Sequence, residues 1–154
     1  MPPTRPLPTV IGPTENALRT LLTSTLSSTQ ISSYQEWVIA NAASNAGPAW
    51  RQTAAEGLKI GLDGVTRIID GLRAAGLMDD EEALTEAGAA QLAAARSAVA
   101  ATTSRLTDGI TEEEQETARL VLDRIRGNAE TLLRHGAHRR AEGTSHQDSD
   151  GPGK

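Results

Sequence analysis

The chain has 154 residues, a formal net charge of −5, no cysteine and no phenylalanine. That length buries one core of ordinary size, and the missing cysteines exclude disulfides and thiolate metal sites. Abundant alanine without phenylalanine favours helices that approach closely over a core built on aromatic bulk.

Residues 1–13 carry proline at 2, 3, 6, 8 and 13 and no apolar run, so they read as a disordered segment, neither a secretory signal nor a membrane span. A cytoplasmic protein is the expectation. A first helix is expected over Thr14–Ser27, with Leu18, Leu21, Leu22 and Leu26 on one face. A second runs from Ile31 to Ala43 and is stopped by Ser44-Asn45-Ala46-Gly47-Pro48. Trp50–Leu58 and Leu62–Ala75 form a short helix, a turn and a second helix, in which Leu62, Val65, Ile69 and Leu72 recur at the spacing of a buried stripe and Gly76 ends the run. Thr85–Leu106 is a long alanine-rich helix. Thr111 and Glu114 make a capping box, with acidic residues at the positive end of the dipole, for a final helix striped by Ala118, Val121, Leu122, Ile125, Ala129, Leu132 and Leu133. One small lobe is too short to cover that stripe, and a second copy of the chain is its expected cover. From Arg134 onward the sequence is polar and aperiodic, which reads as a disordered tail over residues 134–154.

The stretch Ala54–Leu77, followed by Leu84-Thr85-Glu86-Ala87-Gly88, resembles without gaps the multiple-antibiotic-resistance regulator (MarR) family of winged-helix transcription factors. There, the segment matching Val65-Thr66-Arg67 lies on the recognition helix, and the Leu-Thr-Glu-Ala-Gly phrase opens the long helix after the wing. Gln35-Glu36-Trp37-Val38 and Ile110–Leu133 are similar to the family's preceding helix and its C-terminal helix, so the resemblance spans roughly Thr14–Leu133. It implies a mainly α winged helix-turn-helix, dimerised through its N- and C-terminal helices. The domain is expected over 14–133, with the reading lobe at about 49–84 and the dimerisation helices at about 14–30 and 85–133. The wing is much reduced, since only Met78-Asp79-Asp80-Glu81-Glu82-Ala83-Leu84 stands where a basic hairpin is usual. Gly61 replaces the serine that commonly precedes the recognition helix, and Gly71 stands where a basic residue is common.

The resemblance implies a major-groove reader, and the basic or polar side chains left for double-stranded DNA are Arg51, Lys59, Thr66, Arg67 and Arg73. Between Ala49 and Leu84, four basic residues face seven acidic ones, a net of −3, which works against the phosphate neutralisation that supplies most non-specific affinity. The family also binds small aromatic or phenolic ligands between its dimer helices and its reading lobe, which makes Arg19, Tyr34, Trp37 and Trp50 the candidate lining. Two functions are therefore open: a ligand-responsive DNA-binding repressor, or a divergent homodimer that has lost DNA and binds or transforms a small molecule. All three histidines, His135, His138 and His146, lie in the tail, so no Ser-His pair forms in the folded body. The sequence calls for no catalytic residue, metal or cofactor.

Overall fold

The computed structural model describes residues 5–45 and 47–144, with side chains described as far as 137. Six helices span them: α1 (Pro8–Leu26), α2 (Tyr34–Ser44), α3 (Trp50–Leu58), α4 (Leu62–Ala74), α5 (Glu86–Leu106) and α6 (Glu112–Thr144). Residues 14–133, expected as one domain, divide into two compact units. The first, Met1–Leu106, holds α1 to α5, and the second, Thr107–Lys154, holds α6.

Helix α1 starts at Pro8 rather than Thr14, so residues 8–13, expected to be disordered, are its first turns. Pro8 sits at the start, where a missing N–H removes no bond, and Pro13 gives up a single intrahelical hydrogen bond. Of the expected apolar face only Leu26 is buried, and Leu18 is exposed.

Helix α2 begins at Tyr34, not Ile31. Ser33 and Glu36 form a reciprocal capping box, the Ser33 hydroxyl accepting from the Glu36 N–H at 3.1 Å while the Glu36 carboxylate accepts from the N–H groups of Ser32 and Ser33. Ile31 is then a fully buried residue outside the helix. α2 packs against α1, α3, α4 and α5, and the core gathers around it: Ile31, Ile39, Ala54, Val65, Ile69, Leu72, Leu77, Met78 and Leu92 form one buried cluster.

Lys59 closes α3 in the left-handed conformation (φ 54°), and α4 follows with Gly61 as its N-cap, without a side-chain cap. Val65, Ile69 and Leu72 of α4 are buried as their spacing predicts. Leu62, expected on the same stripe, is 49% exposed, because it lies in the first turn, before the helix reaches the core. The helix ends at Ala74, and Gly76 (φ 74°) turns the chain out of it.

Among the described residues no strand forms, and the wing is reduced to one antiparallel bridge, Met78 to Leu84. Thr85 caps α5 instead of beginning it: its hydroxyl accepts from the Gly88 N–H at 3.0 Å and donates to the Gly76 carbonyl at 2.6 Å. Gly88 is required here for close approach, since a Cβ would stand 1.9 Å from the Leu77 carbonyl oxygen.

In the second unit, the Thr111 hydroxyl accepts from the Glu114 N–H at 3.2 Å and the Glu114 carboxylate accepts from the Thr111 N–H at 2.8 Å, the capping box expected from sequence. The Thr111 backbone hydrogen bond, aided by its hydroxyl, holds the Glu114 carboxyl below the usual carboxylate range. The helix continues past Arg134 to Thr144, although disorder is expected from residue 134; no proline interrupts the stretch. Residues 1–4 and 145–154 of the expected disordered segments lie outside the described residues. Of the stripe, Val121 and Ile125 are half-buried, while Leu122, Leu132 and Leu133 are exposed. No helix among the described residues is long and apolar enough to cross a membrane.

Candidate functional site

With Val65, Ile69 and Leu72 turned to the core, the 3.6-residue period leaves Thr66, Arg67 and Asp70 on the solvent face of α4. α4 is thus a rigid element anchored by three buried aliphatic residues and presenting polar side chains outward. The packing of α3 against α4 completes a helix-turn-helix lobe.

The five DNA-facing candidates differ in availability. Arg51, from α3, donates one terminal nitrogen to the Glu82 carboxylate at 2.6 Å and the other to the Thr66 hydroxyl at 2.6 Å. Thr66 also donates to the Leu62 carbonyl at 3.0 Å. Arg73 donates to Asp70 at 3.0 Å and to the Asp79 carbonyl at 3.1 Å, and it lies 3.6 Å from the Asp80 carboxylate. Arg51, Thr66 and Arg73, expected as free contacts for DNA, are therefore engaged within the lobe. The side chains of Lys59 and Arg67 are exposed and have no hydrogen bond or ion pair among the described residues.

The acidic segment is an ordered turn. One Asp79 carboxylate oxygen accepts from the N–H groups of Glu81 and Ala83, both at 2.9 Å, and the Glu82 N–H donates to the Asp79 carbonyl at 3.2 Å. Glu82 itself is left-handed, at φ 63°. The tie between this run and Arg51 is not legible in the sequence, because Arg51 and Glu82 are 31 positions apart and no local spacing links them.

The four ligand candidates fall into two groups. The Arg19 guanidinium lies 4.5 Å from the centre of the Tyr34 ring. It is held by Glu15, whose hydrogen bond raises the Arg19 pKa above its already high ordinary value, so the group stays cationic. Trp37 and Trp50 are half-buried and pack against the core cluster of the lobe. An apolar groove of about 180 Å³ runs between α1 and α5, lined by Leu18, Leu21, Leu22, Thr25, Val99, Thr102, Thr103 and Leu106, none of them an expected ligand residue. A further unforeseen tie comes from Arg96 on α5, which donates to the Asn41 side chain at 2.9 Å and the Ser44 hydroxyl at 2.8 Å at the end of α2.

Among the described residues no cluster of histidine and carboxylate side chains is placed to hold a metal ion. His135 lies on α6, whereas the side chain of His138 and the whole of His146 lie outside the described residues.

These features define a helix-turn-helix lobe with a minimal wing, set among longer helices. The chain is similar in structure to transcriptional regulator PA3341, with a TM-score of 0.68 and 24% identity over 82% of this chain and 99% of that one. It is similar also to the Mycobacterium tuberculosis MarR family protein Rv2887, solved in complex with DNA, with a TM-score of 0.64 and 19% identity over 79% of this chain and 98% of that one. A protein of unknown function from Listeria innocua matches with a TM-score of 0.62 and 20% identity, over 79% and 91% of the two chains. The chain thus has a MarR-like winged-helix fold. No protein-family model matches its sequence, and no curated protein does.

Proposed function

We propose that the chain is a cytoplasmic, homodimeric transcriptional regulator of the MarR type, which reads double-stranded DNA through α4 and responds to a small aromatic or phenolic ligand. The observation that carries this reading is the helix-turn-helix lobe itself. α4 is fixed by Val65, Ile69 and Leu72 and turns Thr66 and Arg67 outward, within a fold shared across nearly the whole length of a MarR family protein that was crystallised with DNA. α1 and α6 are the dimerisation elements in this reading, supported by the exposed Leu18 of α1 and Leu122, Leu132 and Leu133 of α6. Arg19, Tyr34, Trp37 and Trp50 are the proposed ligand residues, supported by the cation–π pair of the first two.

Fluorescence anisotropy with the protein's own upstream DNA, at two salt concentrations, tests the DNA reading. Affinity falls as salt rises if phosphates are neutralised, and Arg67→Ala weakens binding while leaving the helix folded. A second reading has its own support, since Arg51 and Arg73 are spent on carboxylates of the lobe. In it the chain keeps the fold and the dimer but has lost DNA, and it binds or transforms a small molecule. A ligand that binds with no dependence on DNA, in a protein showing no affinity for its upstream duplex at low salt, decides for this alternative.

A further inference from the structure

The geometry points to the acidic turn after α4 as a built-in competitor for DNA: the Glu82 carboxylate occupies one terminal nitrogen of Arg51 in the place of a phosphate. This rests on the DNA-binding reading above and adds a regulatory contact to it.

Four observations converge. The Glu82 carboxylate accepts from Arg51 at 2.6 Å, and the other terminal nitrogen of Arg51 reaches Thr66 on the exposed face of α4, so one chain of bonds runs from the turn through α3 to the reading helix. The pair is partly shielded, with the two side chains 35% and 26% exposed, and shielding strengthens a charge-assisted hydrogen bond relative to one in open water. The turn is also shaped to deliver that carboxylate. Glu82 takes the left-handed conformation, which a residue with a Cβ enters only at a cost, and Asp79 holds it there with bonds to Glu81, Ala83 and Glu82. Finally, Arg73 grips the opposite side through the Asp79 carbonyl and Asp80. Two arginines of the lobe thus clasp one turn from both flanks.

A phosphate approaching α4 meets an Arg51 that already has a carboxylate. Binding becomes an exchange in which one anion replaces another and Glu82 is released into the negative field of the duplex. Such an exchange yields less than a fresh contact, so DNA must be held first by the free Lys59 and Arg67, and sequences that offer those two little are rejected. Glu81 supplies the control: it carries the same charge in the same turn, is exposed, and has no ion pair among the described residues.

The test is anisotropy with the full chain on a duplex from its own upstream region, over a series of salt concentrations. Glu82→Gln tightens binding by on the order of tenfold, the worth of one charge-assisted hydrogen bond, and Glu81→Gln by less than about twofold, the size of a surface charge effect. The slope of affinity against salt steepens in Glu82→Gln by about one phosphate, because Arg51 then meets DNA without a competitor. In an Arg51→Ala background the gap between the two variants closes. Glu82→Gly, which suits the left-handed backbone, repeats the result should Glu82→Gln fold poorly. Equal tightening by Glu82→Gln and Glu81→Gln overturns the inference while leaving the DNA reading intact, as does a gap that survives Arg51→Ala. Absence of binding by the unmodified chain and by both Glu82 variants at low salt removes the DNA reading and the inference together.

Discussion

Gly88→Ala is the sharpest probe of how the lobe is joined to α5. The added methyl carbon would stand 1.9 Å from the Leu77 carbonyl oxygen, 2.9 Å from its carbonyl carbon and 3.2 Å from its Cα, and all three are backbone atoms that no rotamer change can move. Leu77 is itself buried, and its carbonyl accepts from the Thr85 N–H at 3.1 Å. Relief requires the start of α5 to withdraw, which strains the packing by about 1–3 kcal/mol. Withdrawal also breaks the Thr85–Leu77 and Thr85–Gly76 hydrogen bonds, worth about 1 kcal/mol each. The better helix propensity of alanine returns up to about 1 kcal/mol, leaving a net loss of about 2–4 kcal/mol. For a unit of this size that lowers the melting temperature by roughly 10–20 °C. Thermal unfolding followed by circular dichroism measures it, with Gly71→Ala as the matched control. Gly71 is exposed on α4, and a Cβ added there would have nothing within 4 Å, so alanine raises stability by about 0.5–1 kcal/mol. A Gly88→Ala protein that melts at or above the unmodified chain refutes the close-approach argument.

Other outcomes follow from the same geometry. Leu122→Glu combined with Ile125→Glu shifts a homodimer toward monomer or unfolds it, because the α6 stripe loses its cover; light scattering reads the mass, and a monomer for the unmodified chain at micromolar concentration ends the dimer proposal. Glu114 has a lowered carboxyl pKa through its bond from the Thr111 N–H, so its capping contribution is complete above the ordinary carboxylate range and is lost as pH falls through its own lower pKa. Helical circular dichroism between pH 7 and pH 3 should therefore decline less steeply in Glu114→Gln, which keeps an acceptor at every pH, and identical profiles would count against the cap. Tryptophan fluorescence titrated with small aromatic acids and phenols reports the proposed ligand site, where Arg19→Gln should weaken binding of the acids without changing the melting temperature. Unaltered affinity would detach Arg19 from that site.

Most helices were legible because their causes are local. The spacing of Val65, Ile69 and Leu72 and the Thr111–Glu114 box each act within a turn or two, and the structure places all of them as expected. The Ser33–Glu36 box is equally local and starts α2 at Tyr34, whereas Ile31, the expected start, is buried outside the helix. Proline in residues 8–13 argued for disorder, yet Pro8 sits where a helix tolerates it best.

The amino-acid sequence by itself determined the central part of each helix, though not the helical turns at residues 8–13 and 134–144, which face of α4 is apolar, and that the wing is short and acidic, since propensity, periodicity and capping depend on neighbours a few positions away. It could not determine that Arg51 answers Glu82, that Arg96 grips the end of α2, or that Gly88 must lack a side chain beneath Leu77. Those pairings join residues separated by 31, 55 and 11 positions. Only the packing of α3, α4 and α5 around α2 brings their atoms within reach, and that packing turned three expected DNA contacts, Arg51, Thr66 and Arg73, into parts of an internal network.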